Sequence, residues 1–198
     1  MAKRHLFLTG EIQVGKSTAI RRFLAESGKT ADGFLSHIVS SVFECPELDN
    51  SVFLGEPKAH QFTAPRELYL ARFDTLNGET DSQLAATNAG ASANADGFAP
   101  FTIFTEIFDT HGAELVHSAG RRELILMDEL GRMEERAEDF KRAVFDRLDG
   151  DFPILGVVKA VQTPFLDAVR AHPKVTVLTV TERNRNNIPR LISEMLPH

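Results

Sequence analysis

Short apolar runs recur along the chain, and in its last third they alternate with helical patterns. The runs are HLFLT at 5–9, ELILMDE at 123–129, DFPILGVV at 151–158 and KVTVLTV at 174–180. Because each run is of strand length and mostly apolar at its centre, it predicts a strand that is buried on both faces. Apolar residues at helical spacing predict helices over 134–149, 164–172 and 188–196. This alternation predicts a parallel α/β sheet in which the strands end at one common edge.

The starts of the two last helices carry capping signals. Thr163-Pro164 and Asn187-Ile188-Pro189 each combine a side chain that can cap a helix with an early proline. We therefore expect both Thr163 and Asn187 to cap the helices that follow them.

The first half of the chain is less regular. Apolar spacing predicts a helix from Lys16 to a C-cap at Gly28. Between 32 and 73, partly alternating segments broken by proline and glycine predict antiparallel strands and hairpins. The small, polar segment 75–97 predicts a long loop, residues 98–104 predict another short strand, and a helix follows that ends at Gly120. We expect one domain over residues 1–198, with inserted hairpins and a long polar loop at about 32–100.

Composition narrows the class of protein. The 198 residues are 42% hydrophobic and 25% charged, which is ordinary for a soluble globular protein. A net charge of −6 argues against a nucleic-acid partner. The single cysteine, Cys45, fits a reducing compartment, and neither a signal peptide nor an apolar run of spanning length is present in the sequence. These features predict a cytoplasmic protein without a membrane partner.

The first chemical motif fits the phosphate-binding pattern G-x-x-x-x-G-K-[ST], or Walker A. It consists of Gly10, Glu11, Ile12, Gln13, Val14, Gly15, Lys16 and Ser17, with Thr18 directly after it. The two glycines permit close backbone approach, and the N–H groups between them would face an anion at the start of a helix. Lys16 would contact the β- and γ-phosphates, and Ser17 would offer an oxygen to Mg²⁺. Since a predicted strand precedes the motif and a predicted helix follows it, we expect a phosphate-binding loop over residues 10–18.

The second motif is the acidic pair Asp128-Glu129 at the end of the predicted strand ELILMDE, in the Walker B position. In P-loop proteins a carboxylate at this place holds Mg²⁺, a role that suits Asp128. Glu129 could orient or deprotonate an attacking water. Together the motifs predict a P-loop NTPase three-layer sandwich, with a mainly parallel central sheet and an inserted antiparallel region.

Several other side chains admit two interpretations. Arg132 could stabilise γ-phosphate charge as an arginine finger does, or could be a surface arginine at a helix start. Glu134 could act near the reaction or cap the next helix. Asn184 and Arg185 follow the last predicted strand, where they could contact the nucleotide or begin the final helix.

Four segments, in this order, resemble the small thermostable nucleoside-triphosphatases, a family that includes the cancer-related nucleoside-triphosphatase of vertebrates. They are the loop Gly10 to Ser17, Asp32-Gly-Phe34, Asp128-Glu-Leu-Gly131-Arg-Met133-Glu134, and Thr181-Glu-Arg-Asn184-Arg185. The family signature D-E-[IL]-G-x-M-E is more specific than the loop. The chain departs from the family where a Pro-Gly pair usually follows the first glycine, because Glu11 to Val14 fill that place here, and residues 42–100 match poorly.

The resemblance implies Mg²⁺-dependent hydrolysis of nucleoside triphosphates to diphosphates, with ATP as the expected substrate. It places Lys16 on the phosphates, Ser17 and Asp128 on the metal and Glu129 on the water. Two alternatives stay open from the residues alone: a nucleotide or small-molecule kinase, and a nucleotide-gated regulatory protein in which the segment 75–97 responds to the nucleotide. The sequence identifies no protein partner.

Overall fold

In a computed structural model, described for residues 3–40, 65–92 and 99–196, eight strands form one sheet. The strands are β1 (His5–Thr9), β2 (Ala31–Ser40), β3 (Arg66–Asp74), β4 (Gly78–Thr87), β5 (Thr102–Ile103), β6 (Leu124–Leu130), β7 (Ile154–Val158) and β8 (Val175–Thr179). Their order in the sheet is β5-β4-β3-β2-β6-β7-β1-β8. The pairs from β2 to β8 are parallel, and β3, β4 and β5 extend the sheet antiparallel.

Helices cover both faces of the sheet. They are α1 (Lys16–Ser27), α2 (Thr105–Ile107), α3 (Ala113–Ser118), α4 (Glu138–Asp149), α5 (Pro164–Ala171) and α6 (Ile188–Met195). A π-helical turn at Phe108–Gly112 joins α2 to α3, and 3₁₀ turns at Met133–Arg136 and Arg185–Asn187 precede α4 and α6.

Two apolar clusters fill the space between these layers. Residues of α1 and α6 pack with Leu6 and Leu8 of β1 on one face of the sheet. Phe7, which points to the opposite face, packs with residues of α3, α4 and α5. Because neighbouring residues of a strand point to opposite faces and both faces are covered, the consecutive residues Leu6, Phe7 and Leu8 are all apolar. The three-layer α/β prediction is confirmed.

Three local predictions were wrong. Residues 78–87 of the predicted loop at 75–97 form β4, which pairs with β3 after a turn at residues 75–77. The strand predicted at 98–104 is only Thr102–Ile103 within the described residues. Asn187 does not cap α6 with its side chain, because the preceding 3₁₀ turn runs directly into the helix and holds Asn187 in a helical conformation. By contrast, the Thr163 side chain caps α5 by accepting the Leu166 N–H at 3.2 Å, as predicted.

The antiparallel prediction for 32–73 is confirmed by β2 and β3. The further short strands proposed between 41 and 64 lie outside the described residues. Over the residues that the structure describes, no helix has both the length and the apolar character needed to cross a membrane.

Candidate active site

The phosphate-loop motif lies between the end of β1 and the start of α1. Gly10 has a φ of 139°, and a Cβ atom there would come within 2.3 Å of the Val180 carbonyl oxygen. Gly15 is the N-cap of α1 with a φ of 106°, and Gln13 has a φ of 61°. Residues with positive φ within a loop can turn neighbouring N–H groups toward one side, which is how concave anion sites are built. This geometry, next to the positive end of α1, is compatible with the phosphate site predicted from the sequence.

Lys16 is folded back over this loop. Its side chain is buried, and Nζ donates to the carbonyl oxygens of Gly10 at 3.1 Å and Glu11 at 2.6 Å. Burial lowers the pKa of Lys16, while the nearby carboxylates of Glu129 and Asp128 oppose that shift. The ammonium group is thus held at the mouth of the loop by two weak acceptors that an anion could replace.

Ser17 and Asp128 meet although 111 residues separate them in sequence. Ser17 Oγ donates to Asp128 Oδ1 at 3.1 Å, because the start of α1 lies next to the end of β6. Asp128 is 9% exposed, and its burial raises its pKa to about 6. The two oxygens that sequence analysis assigned to a metal are therefore neighbours, and the carboxylate carries a desolvation penalty that a cation would relieve.

Glu129 lies at an irregularity in the sheet. The register between β6 and β7 shifts between Asp128 and Leu130, so that Glu129 is the extra residue of a bulge. Bulges occur next to active sites because they redirect a side chain. The redirected carboxylate forms an ion pair with Lys159, whose Nζ lies 3.1 Å from Oε2.

Glu134 is buried beneath the loop that follows β6. It is 3% exposed, and Oε2 accepts the N–H of Gly131 at 3.0 Å. Burial raises the pKa of Glu134 to about 7, and the positive charge of Lys159 opposes the shift. Of the two interpretations offered for Glu134, this geometry favours a structural one. The Arg132 side chain is exposed at the N-cap of the 3₁₀ turn.

Asn184 and Arg185 make different contacts, although they are adjacent in the sequence. Asn184 closes a local turn, because Oδ1 accepts the Thr181 N–H at 2.8 Å and Nδ2 donates to the Thr179 carbonyl at 2.9 Å. Arg185 is exposed and borders the phosphate loop, since its Cδ lies 3.9 Å from the place where a Cβ on Gly15 would be.

A pocket of about 490 Å³ opens beside the phosphate loop. It is lined by Gly10, Glu11, Val14 and residues 179–183. The remaining variable residues of the loop, Ile12 and Gln13, are exposed, and Thr18 is exposed on the first turn of α1. Residues 179–183 of the last connection therefore line this pocket, while Arg185 borders the phosphate loop at Gly15.

Comparison with known proteins identifies the family. A family model described as NTPase matches residues 71–193, which is more than half of the chain. The nucleoside-triphosphatase THEP1 of Natranaerobius thermophilus is 19% identical over 198 residues, covering 99% of this chain and 98% of that relative. THEP1 of Methanosarcina barkeri is 37% identical over 89 residues, or 45% of this chain and 51% of the relative.

Solved structures share the fold. The crystal structure of THEP1 from the hyperthermophile Aquifex aeolicus superposes with a TM-score of 0.65 at 18% identity, covering 98% of this chain and 99% of that one. The solution structure of a human cancer-related nucleoside triphosphatase gives a TM-score of 0.61 at 22% identity, covering 96% of each chain. The chain therefore belongs to the NTPase family, whose members include the THEP1 nucleoside-triphosphatases.

Proposed function

We propose that this protein hydrolyses nucleoside triphosphates to diphosphates and phosphate, with Mg²⁺ and with water as the acceptor. The proposal depends on one observation above all, the contact of 3.1 Å between Ser17 Oγ and Asp128 Oδ1 beside Lys16. That contact joins the phosphate loop to the acidic strand end at the edge where ligands bind in parallel sheets.

The chemistry of these two oxygens fits Mg²⁺. The ion prefers hard oxygen ligands and is usually held by one or two protein groups together with substrate phosphates. Asp128 supplies a carboxylate whose charge is disfavoured by burial, so that a cation beside it would be favourable. Ser17 and Asp128 would hold the ion, which when bound would neutralise charge that develops on the phosphate.

The remaining steps belong to side chains of the chain itself. Lys16 would exchange its two carbonyl acceptors for the β- and γ-phosphates, which attract an ammonium group more strongly. Glu129 would orient the water and accept its proton as the water oxygen bonds to the γ-phosphorus. The bond from the γ-phosphorus to the bridging oxygen breaks, and the diphosphate leaves with that oxygen. The nucleoside would extend into the pocket formed with residues 179–183.

The regulatory alternative was motivated by a long loop at 75–97. Because residues 78–87 pair with β3, that motivation is weakened. We further propose that the protein works in the cytoplasm and binds no nucleic acid, on the basis of its net charge of −6 and its single cysteine.

Glu129→Gln tests this function. The variant should bind nucleotide as the wild type does but release phosphate at least about 100-fold more slowly, which is a usual size for loss of a general base. Glu138→Gln, on the exposed face of α4, serves as the matched control and should hydrolyse normally. Phosphate release by Glu129→Gln at the wild-type rate, measured with several nucleoside triphosphates, would sink the role of Glu129.

A further inference from the structure

Lys159 stands directly after β7, in a position that the sheet order makes central. Because β7 lies between β6 and β1, its C-terminal end lies between the acidic pair and the phosphate loop. The backbone N–H of Lys159 donates to the Leu130 carbonyl at 2.9 Å, which fixes the start of this connection. The side chain passes over Gly131, where a Cβ atom would come within 3.2 Å of Lys159 Cδ.

The ammonium group of Lys159 forms an ion pair with Glu129, the carboxylate that would orient water in the proposed reaction. Its Nζ lies 3.1 Å from Glu129 Oε2, and each side chain is 29% exposed. An attacking water would have to donate a hydrogen bond to this carboxylate, and the ammonium group already takes up acceptor capacity of Oε2. Glu129 is therefore less available to an attacking water for as long as its ion pair with Lys159 is intact.

A bound triphosphate would compete for the same ammonium group. Lys16 and Lys159 are close enough for their charges to interact: burial is the main cause of the lowered pKa of Lys16, and repulsion from Lys159 adds to it. An anion placed between two such cations is attracted by both. The γ-phosphate would enter beside Lys16, and it carries more charge than the single carboxylate of Glu129.

On the basis of the proposed function, we propose that Lys159 pairs with Glu129 in the nucleotide-free protein and moves to the γ-phosphate when a nucleoside triphosphate binds. The transfer frees Glu129 to orient water only when a cleavable phosphate is present. Lys159 thereby supplies the positive charge at the γ-phosphate, a role for which the sequence offered Arg132 as a candidate. A diphosphate has no γ-phosphate, so it leaves the pair with Glu129 intact.

The affinity difference between a diphosphate and a triphosphate tests this proposal. Dissociation constants for ADP and for a non-hydrolysable ATP analogue are measured by titration with Mg²⁺ for the wild type and Lys159→Met. We expect the variant to lose at least about tenfold affinity for the analogue relative to ADP, as loss of a charged hydrogen bond would cause. Its kcat should fall by about 100-fold, and Lys159→Arg should restore most of both losses.

Two further variants make the outcome decisive. Lys174→Met removes an ion-paired lysine just before β8 and should leave the affinity ratio unchanged. Gly131→Ala displaces the Lys159 side chain without removing its charge and should shift the ratio in the same direction as Lys159→Met. Equal weakening of ADP and the analogue in Lys159→Met, or an unchanged ratio, would overturn the proposal.

The result is separable from that of the proposed function. If wild-type protein releases phosphate and Glu129→Gln does not, an unchanged ratio in Lys159→Met rejects only the role of Lys159. If the wild type releases no phosphate with any nucleoside triphosphate, the hydrolytic function itself fails.

Discussion

Replacing Glu134 by Gln should stabilise the nucleotide-free protein at alkaline pH. Glu134 is 3% exposed, and burial raises its pKa from 4.5 to about 7. Since one pKa unit corresponds to about 1.4 kcal/mol, holding this carboxylate ionised costs about 3 kcal/mol. Gln keeps an oxygen that can accept the Gly131 N–H but carries no charge to desolvate.

The sign of the pH dependence follows from the direction of the shift. The pKa of Glu134 is higher in the folded protein than in the unfolded chain. Its favourable contribution to the unfolding free energy, made by the protonated form, is therefore complete below about pH 4.5. It is lost as the pH rises through about 7. The wild type should therefore lose up to about 3 kcal/mol of unfolding free energy across this range through Glu134, and Glu134→Gln should not.

Urea unfolding between pH 4.5 and 8 measures this difference. Far-UV circular dichroism is the suitable signal, because the chain contains no tryptophan and one tyrosine. At pH 8 the variant should be the more stable protein, and at pH 4.5 the two should agree. Glu138→Gln is the control and should stay within about 0.5 kcal/mol of the wild type, because its ion pair with Lys141 lies at the surface. A Glu134→Gln protein that is less stable at pH 8, with an unchanged pH slope, would refute burial as the cause.

Two predictions concern the backbone of the phosphate loop. Gly10→Ala should lower the unfolding free energy by about 1–3 kcal/mol more than Gly15→Ala. Both substitutions strain a backbone with positive φ, but only at Gly10 would the new Cβ also collide with the Val180 carbonyl. Equal urea midpoints for the two variants would contradict this. Gln13→Gly should be more stable than Gln13→Val by about 1–3 kcal/mol, because Gln13 has a φ of 61° that a β-branched residue tolerates poorly. The exposed neighbour Ile12, changed to Val, should be neutral in the same urea assay.

The last third of the fold was predictable because its strands are buried on both faces. Runs such as ILGVV at 154–158 have no exposed position, so they cannot be mistaken for loops. β4 was missed for the opposite reason. Its first six residues are all exposed, and its order comes from backbone pairing with β3, which leaves no apolar pattern. The pair Asn77-Gly78 is a hairpin signal that could have revealed it.

The loop and the acidic pair were predictable because short motifs encode them locally. Lys159 was not, since its contact with Glu129 depends on a bulge and on the order of strands in the sheet. One signal was available, because Lys159 follows a buried parallel strand and therefore lies at the ligand-binding edge. The contacts of Asn184 within its own turn could not be predicted from the sequence either, because the same amide could cap a turn or bind a nucleotide.

The central claim is that water accepts the γ-phosphoryl group at this site. Turnover of ATP with Mg²⁺ in water enriched in ¹⁸O, with no added acceptor, tests it most directly by mass analysis of the products. We predict one ¹⁸O atom in the released phosphate, none in ADP, and loss of this product in Glu129→Gln. Phosphate that is released only after a small-molecule acceptor is supplied, or transfer to that acceptor instead, would contradict the account and favour a kinase.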